Sequence, residues 1–324
     1  MKKIVVVFSA LIFFGIATSS KACLWDKDTI ATEKARVPGV EELVFGNFPR
    51  HSQEFYEWRK ERSEKSLAAN PSELAIYDDL AVAQHKLGDH AAAIETMMRK
   101  EKIQPGVYET YSNMGTFYIY TGDLPEAVRC LDKALAINPD AHFGREKYQR
   151  WLVEWLLAGK PDAKGGSSDS LIYRPGGYAA FILGKQPVEA RKAFAEDLRR
   201  ESIRGVMGMM RFADFDNPVL LEALGDLLLI GEATANASHH ATLAFLHASQ
   251  VSKRADEQER LSRKFEMANR TLLASREPGL FKAQLKAGLA KGQAFAKNVR
   301  ADELAWIAAG KDVSAEFEKK YLKP

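Results

Sequence analysis

The amino-acid sequence predicts an all-α chain: tandem helix-turn-helix units forming a solenoid, continued by further antiparallel helices. Two observations carry this. Pro71, Pro105 and Pro139 stand at a constant interval of 34 residues, and Gly88 and Gly122 keep the same step. That interval, with helix-breaking residues at its ends, is the length of one two-helix repeat. The second observation is that no segment alternates convincingly at the period of two that a half-buried strand needs.

Laid over each other, Tyr77, Leu80, Ala81, Gly88, Ala93, Met97 and Pro105 fall in register with Tyr111, Met114, Gly115, Gly122, Ala127, Leu131 and Pro139. The aromatic and the large aliphatic residue three later share one face of the first helix. Ala81 and Gly115 are small because the second helix crosses there at close range. Gly88-Asp89 and Gly122-Asp123 end the first helix, since glycine takes the left-handed conformation of a helix stop. Ala93 and Ala127 give the second helix its own point of close contact, and each proline stands where that helix must end. With its Gly-Asp-Leu-Pro-Glu-Ala turn, the second copy resembles a nearly complete tetratricopeptide repeat. The first is looser, carrying Lys100 where the second has Ala134. The best units span residues 74–107 and 108–141.

Two such units bury too little alone, so neighbouring helices complete the array. Upstream, Glu54 to Ala69 carries Phe55, Trp58 and Leu67 and ends at Asn70-Pro71. Downstream, Phe143 to Ala158 carries Tyr148, Leu152, Trp155 and Leu156 at helical spacing. The array thus covers residues 52–158, after an N-terminal segment 23–51. Residues 159–178, rich in Gly, Ser, Asp and Pro from Pro161 on, read as a loop or linker.

A helical region, 179–324, follows. Val188 to Ser202 is a charged helix with an apolar stripe. Asp216 or Asn217 caps a helix that starts at Pro218. Leu224-Gly225 with Ala241, Phe245 and Ala248 suggests a degenerate repeat near 218–250. Ala255 to Ala274 and Leu280 to Phe295 are two further helices, and Trp306, Phe317 and Tyr321 mark short final ones around Gly310. The chain is either one solenoid or two helical halves joined near residue 170.

The start of the chain sets the expected compartment. Met1-Lys2-Lys3 followed by the apolar run Ile4 to Ala17 is too short to span a bilayer and has the form of an export signal, cleaved after Ala22. No transmembrane helix is expected in the mature chain; Val219 to Ile230 is interrupted by Glu222 and Asp226. The full chain has 46 basic and 43 acidic residues. Losing Lys2, Lys3 and Lys21 with the signal leaves 43 of each, so no nucleic-acid partner is implied. Cys23 becomes the first mature residue. Ser20-Lys21-Ala22 before it departs from a lipoprotein signal, leaving a lipid anchor as the lesser alternative to a free thiol or a disulfide with Cys130, the other cysteine. The expected location is exported, periplasmic or extracellular, with a lipid-anchored envelope protein as the alternative.

Cys23-Leu-Trp-Asp-Lys-Asp-Thr, Glu33, Phe45-Gly-Asn-Phe-Pro-Arg-His and the later Asp302-Glu303, Trp306-Ile307 and Gly310 resemble a group of exported bacterial tetratricopeptide proteins. Their mature chains open Cys-Leu-Trp-Asp-x-Asp-Thr. The resemblance implies fold and compartment and assigns no activity.

Catalytic chemistry finds no support in the motifs. There is no Walker loop, nucleophile elbow or paired-cysteine zinc spacing, and no cofactor or metal is expected. His239 and His240 point about 100° apart on a helix and cannot share an ion without outside partners. Asp26 and Asp28 could ligate a metal, yet Leu24 and Trp25 make an N-terminal plug equally natural. Gly205 and Gly208 read as close helix packing. In a tetratricopeptide superhelix the first helices line a concave groove, which here gives Asp78, Val82, His85 and Lys86, then Glu109, Ser112, Asn113, Thr116, Ile119 and Tyr120. Asp78 and Val82 stand where receptors for acidic C-terminal tails place lysine and asparagine, and only Asn113 agrees with them. An extended peptide with basic and apolar side chains fits better. Three functions follow from this reading: a non-enzymatic exported scaffold for a protein or peptide partner; an envelope enzyme or small-ligand binder with its site in the C-terminal helices; and a structural subunit of an envelope oligomer, its groove filled by its own N-terminal segment.

Overall fold

The computed structural model describes residues 24–140, 144–160, 176–187, 196–230, 234–272 and 277–323. The expected export signal, Cys23, most of the 159–178 stretch and the start of the 188–202 helix lie outside them. The described residues form fifteen α-helices and one π-helix, with no strand among them.

Six helices make the repeat stack: α3 (Gln53–Ala69), α4 (Leu74–Lys86), α5 (His90–Ile103), α6 (Tyr108–Thr121), α7 (Leu124–Ile137) and α8 (Arg145–Leu157), preceded by α1 (Lys27–Lys34) and α2 (Val40–Phe45). Each member of the stack packs against the next, and α4 also touches α6. The matched turn residues act as their chemistry requires. Gly88 and Gly122 have φ of 86° and 84°, and at neither would an added Cβ meet anything within 4 Å. Conformation, not space, demands glycine there. Asp89 and Asp123 cap the following helices, accepting from the Ala92 and Glu126 N–H groups. Gly115 is a matter of space: a Cβ there would lie 2.9 Å from Leu131.

The stack does not stop at α8. It continues through α9 (Gly177–Gly184), α10 (Glu196–Phe212), α11 (Pro218–Leu228), α12 (Ala235–Val251) and α13 (Ala255–Arg270). Helix α8 packs directly on α10, so of the two arrangements the sequence allowed, the continuous one is formed. Gly205 and Gly208 make that crossing: a Cβ on them would lie 2.8 Å from Tyr148 and 2.9 Å from the Arg145 Nε. Asn217 caps α11, accepting from Val219 and Leu220. Lys264 of α13 reaches both Glu222 and Asp226 of α11 at 2.8 Å, while Asp226 accepts from the Tyr178 N–H of α9 at 3.0 Å. This buried ion cluster ties three helices together beside the main core of Tyr148, Trp155, Tyr178, Leu224 and Phe245.

Helix α14 (Pro278–Ala308) corrects the expected division near residue 295. It runs unbroken for 31 residues, roughly 46 Å at 1.5 Å per residue. Between Gln293 and Ala309 no glycine or proline interrupts it. Only α15 (Val313–Phe317) and the π-helix Glu318–Leu322 come after it. Helix α14 touches α2 and α12 as well as α3, and so closes the stack back onto its first helix. At the α3 end Glu303 accepts from the Ser52 N–H at 2.9 Å and bonds the His51 Nδ1 at 2.7 Å. At the other end Gly288 and Gly292 let α2 lie against the helix: a Cβ on Gly288 would enter the Phe45 ring, and one on Gly292 would collide with the Phe45 carbonyl. No helix among the described residues is long and apolar enough to cross a membrane.

The two kinds of glycine predict different costs. Gly122→Ala strains one left-handed residue in open space and should lower the unfolding free energy by about 1–2 kcal/mol. Gly292→Ala forces α2 off α14 and should cost more, at or beyond the upper end of the roughly 1–3 kcal/mol of an overpacked core. Urea denaturation of the two variants checks the order, and equal costs would contradict it.

Candidate functional site

The side chains of α4 and α6 expected to line a groove lie against the chain's own N-terminal arm. Leu24, Trp25 and Asp26 precede α1, which starts because the Asp26 carboxylate accepts from the Thr29 N–H at 2.7 Å. Leu24 seats in the apolar cluster of Tyr77, Leu80, Met97, Met114 and Phe117. Trp25 stands edge-on to Tyr108, ring centroids 6.1 Å apart at 78°, beside Ala134. Between these two side chains the Asn113 carboxamide grips the main chain twice. Its Oδ1 accepts from the Trp25 N–H at 2.8 Å, and its Nδ2 donates to the Trp25 carbonyl at 3.1 Å.

Charge holds the clamp in place. Asp78 lies 3.3 Å from the Asn113 Nδ2 and pairs with Lys100 at 2.6 Å, both side chains almost fully buried. Lys100 is the residue that makes the first repeat look irregular, and here it neutralises a buried carboxylate in the groove. Burial still pushes the Asp78 carboxyl up to about 7, against the pull of Lys100. Further along the arm, the Lys27 N–H donates to Asp79 at 3.1 Å and Asp28 pairs with Arg59. Glu33 pairs with Arg145, and Arg211 donates to the carbonyls of Thr32 and Arg36 at 2.8 and 3.2 Å.

The other expected groove residues divide by neighbour. Val82 is buried in the cluster that takes Leu24. Ser112 and Thr116 are buried against α8, with Thr116 accepting from Gln149 at 3.0 Å and Ser112 near Glu146. Ile119 packs with Ala127, Leu131 and Val153. Lys86 and Tyr120 face the turn after α10: Lys86 donates to the Phe212 and Ala213 carbonyls, and Tyr120 to Asp214. His85 is buried between Phe117 and Tyr120, its Nδ1 3.0 Å from that of His90. Glu109 is half-buried and faces the Asp78 charge. All of these positions but Glu109 therefore have a contact within the chain itself.

Arg59, Arg145 and Arg211, which anchor the arm, escaped the sequence reading. Each pairs across a separation that carries no periodic signal. A cavity of about 650 Å³ opens beside Trp25, walled by Asp78, Asp79, Asp28 and Glu318. Among the described residues no three His, Cys, Asp or Glu side chains are grouped so as to hold a metal ion. His239 leans on Phe281 at 5.2 Å. Cys130 is a buried free thiol, and burial with Glu126 nearby pushes it up to about 12, far from a reactive thiolate.

Burial holds the His85 imidazole well below its usual range, with the Lys86 and His90 charges adding to it. Its neutral form is favoured in the folded chain, so its contribution is complete above the unfolded value near 6.5 and lost as pH falls below it. Asp78 and Asp226, both raised, run the other way. The histidine is therefore read as a difference. Relative to His85→Gln, the natural chain should lose stability as pH falls from 6.5 to 5, by an amount on the order of 1 kcal/mol per pH unit. Parallel stability curves across that range would contradict a buried neutral His85.

Comparison with protein families places a match on the second unit: residues 108–141 match the tetratricopeptide repeat. No curated protein matches the chain. The chain thus contains a tetratricopeptide repeat within an all-α solenoid-like fold, and repeats of that kind commonly mediate protein–protein interaction.

Proposed function

We propose that this chain is a non-enzymatic, exported helical-repeat scaffold that takes an extended protein or peptide segment in its concave groove, and that its own N-terminal arm holds the groove in the free protein. One observation supports the reading above others: Asn113 holds both the N–H and the carbonyl of Trp25. A grip on the main chain accepts any extended segment, and the flanking pockets then select side chains. Here they favour a large aliphatic residue followed by an aromatic one. A tethered arm competes at an effective concentration in the millimolar range, so a partner must bind more tightly than the arm or meet it released. Export rests on the leading apolar segment and the Cys23-Leu-Trp-Asp likeness. The mature protein is then free in the periplasm or medium, with an unmodified Cys23 in place of a lipid anchor.

The burial of Leu24 and Trp25, at 2% and 8% exposure, favours a second reading in which the arm is a permanent part of the core of a structural subunit. One titration separates the two. A fluorescent peptide of residues 24–36 is added to the natural chain and to its Trp25→Ala variant, and anisotropy is followed. Removing a buried tryptophan side chain costs about 3–5 kcal/mol, so the variant's arm should release and the peptide should bind it more than about tenfold tighter than the natural chain. Adding Asn113→Ala should abolish that binding. A folded variant that ignores the peptide supports the structural subunit instead.

A further inference from the structure

Helix α14 is apolar on two sides. One carries Phe281, Leu285 and Val299, all buried. The other begins at Leu280 and, in alternating steps of three and four, passes through Ala283, Ala287, Ala290, Ala294 and Ala301 to Leu304. That is the a and d spacing of a coiled-coil seam, with Lys297 as its polar member. All of these residues are exposed, Leu280 by 61% and Leu304 by 40%. Helix propensity alone accounts for alanines on a wet surface. It does not account for two exposed leucines in register at the ends of the stripe, roughly 36 Å apart at 1.5 Å per residue. A helix that is apolar on opposite sides is built to be covered on both.

Charge says what kind of partner covers the second side. Between Pro278 and Ala301 the helix carries Lys282, Lys286, Lys291, Lys297 and Arg300 and no acidic residue. Among the described residues only Arg300 of these five has an ion pair, with Glu54 at 2.5 Å. Beside the helix, Glu42 pairs with Arg36 and Asp302 with Lys320, while Glu41 accepts from Gln284 at 3.3 Å. One carboxylate, Glu41, thus stands against four exposed lysines. Lys286 and Lys291 flank the seam at g and e, the positions where coiled-coil partners exchange charge. A second copy lying parallel would set Lys286 against Lys291. An antiparallel copy brings together only these cations with Gln284, Gln293, Asn298 and Arg300, none of them acidic. Self-pairing is therefore opposed in both directions, and an acidic helix is favoured.

We propose that the outer face of α14 is a docking surface for an acidic amphipathic helix of another protein, which lays large aliphatic side chains on the alanines and sets Glu or Asp beside Lys286 and Lys291. Alanine on one helix leaves room for leucine on the other, so the two approach closely and interdigitate. Anchors at such spacing are how a helix is recognised by its apolar face. The surface shares no residue with the clamp at Asn113, and the proposal stands whether or not the groove takes a partner.

Fluorescence anisotropy on the full mature chain at low salt tests it, with two labelled peptides of about four heptads, Leu at a and d in both. One carries Glu at e and g, the other Lys. The acidic peptide should bind saturably, at least about tenfold more tightly than the basic one. In the double variant Lys286→Glu, Lys291→Glu that preference should invert. Leu280→Gln with Leu304→Gln should weaken the acidic peptide more than about tenfold. All four positions are exposed, and thermal unfolding of each variant confirms that it is folded. No saturable binding of the acidic peptide up to about 100 μM, or a preference that does not invert, would overturn the proposal. Two further results would also overturn it. One is a dimer in sedimentation velocity that Leu280→Gln with Leu304→Gln dissolves, which gives the face to a second copy. The other is co-sedimentation with phosphatidylglycerol vesicles, lost in the lysine double variant, by a chain that ignores the acidic peptide; that gives it to a membrane surface.

Discussion

The Asn113 carboxamide, bonded to both main-chain groups of Trp25, is the interaction on which the rest of the molecule turns. It fixes the start of the arm across α4 and α6 and places Leu24 in the apolar cluster of the first repeat. From that point the arm runs on through α1 to touch α3, α8 and α10 by way of Arg59, Arg145 and Arg211. A solenoid buries its neighbours only in sequence. The arm, and α14 by returning to α3, add long-range contacts that a stack of nearest neighbours lacks.

The interior carries buried charge arranged in three ways. Lys100 and Asp78 sit as a matched pair under the clamp. Lys264 shares one ammonium between two carboxylates and joins α9, α11 and α13 through them. Such clusters add little net stability over apolar packing, but breaking one partner leaves an uncompensated charge, so they favour one arrangement over its alternatives. Arg50, Lys86 and Arg211 form the third class, oriented by main-chain carbonyls in place of a directly bonded carboxylate.

Local chemistry was legible in the sequence, and distant pairing was not. The Pro and Gly intervals located α4 to α7 because helix stops and caps are set within a few residues, as Gly88, Asp89, Gly122 and Asp123 show. Gly205 and Gly208 were readable as packing because small residues on a helix announce close approach. Helix α14 was split at 295 because its apolar stripe fades there, although nothing in the sequence stops the helix. The repeat register named Asn113 as a groove position, but its partner Trp25 lies 88 residues away, and Arg211 with Thr32 pairs across 179. Leu24 and Trp25 offered a plug by composition alone. Lys100, which looked like a flaw in the first repeat, is explained only by Asp78 on the facing helix.

The central claim is that the arm is docked in the groove of the free protein. Native-state hydrogen exchange at the Trp25 amide tests it most directly, because that N–H has Asn113 as its partner. A docked arm predicts exchange slowed to the level of the buried amides of α6, through the same opening that exposes the core. Exchange at the rate of an unstructured segment, with α6 still protected, would contradict it.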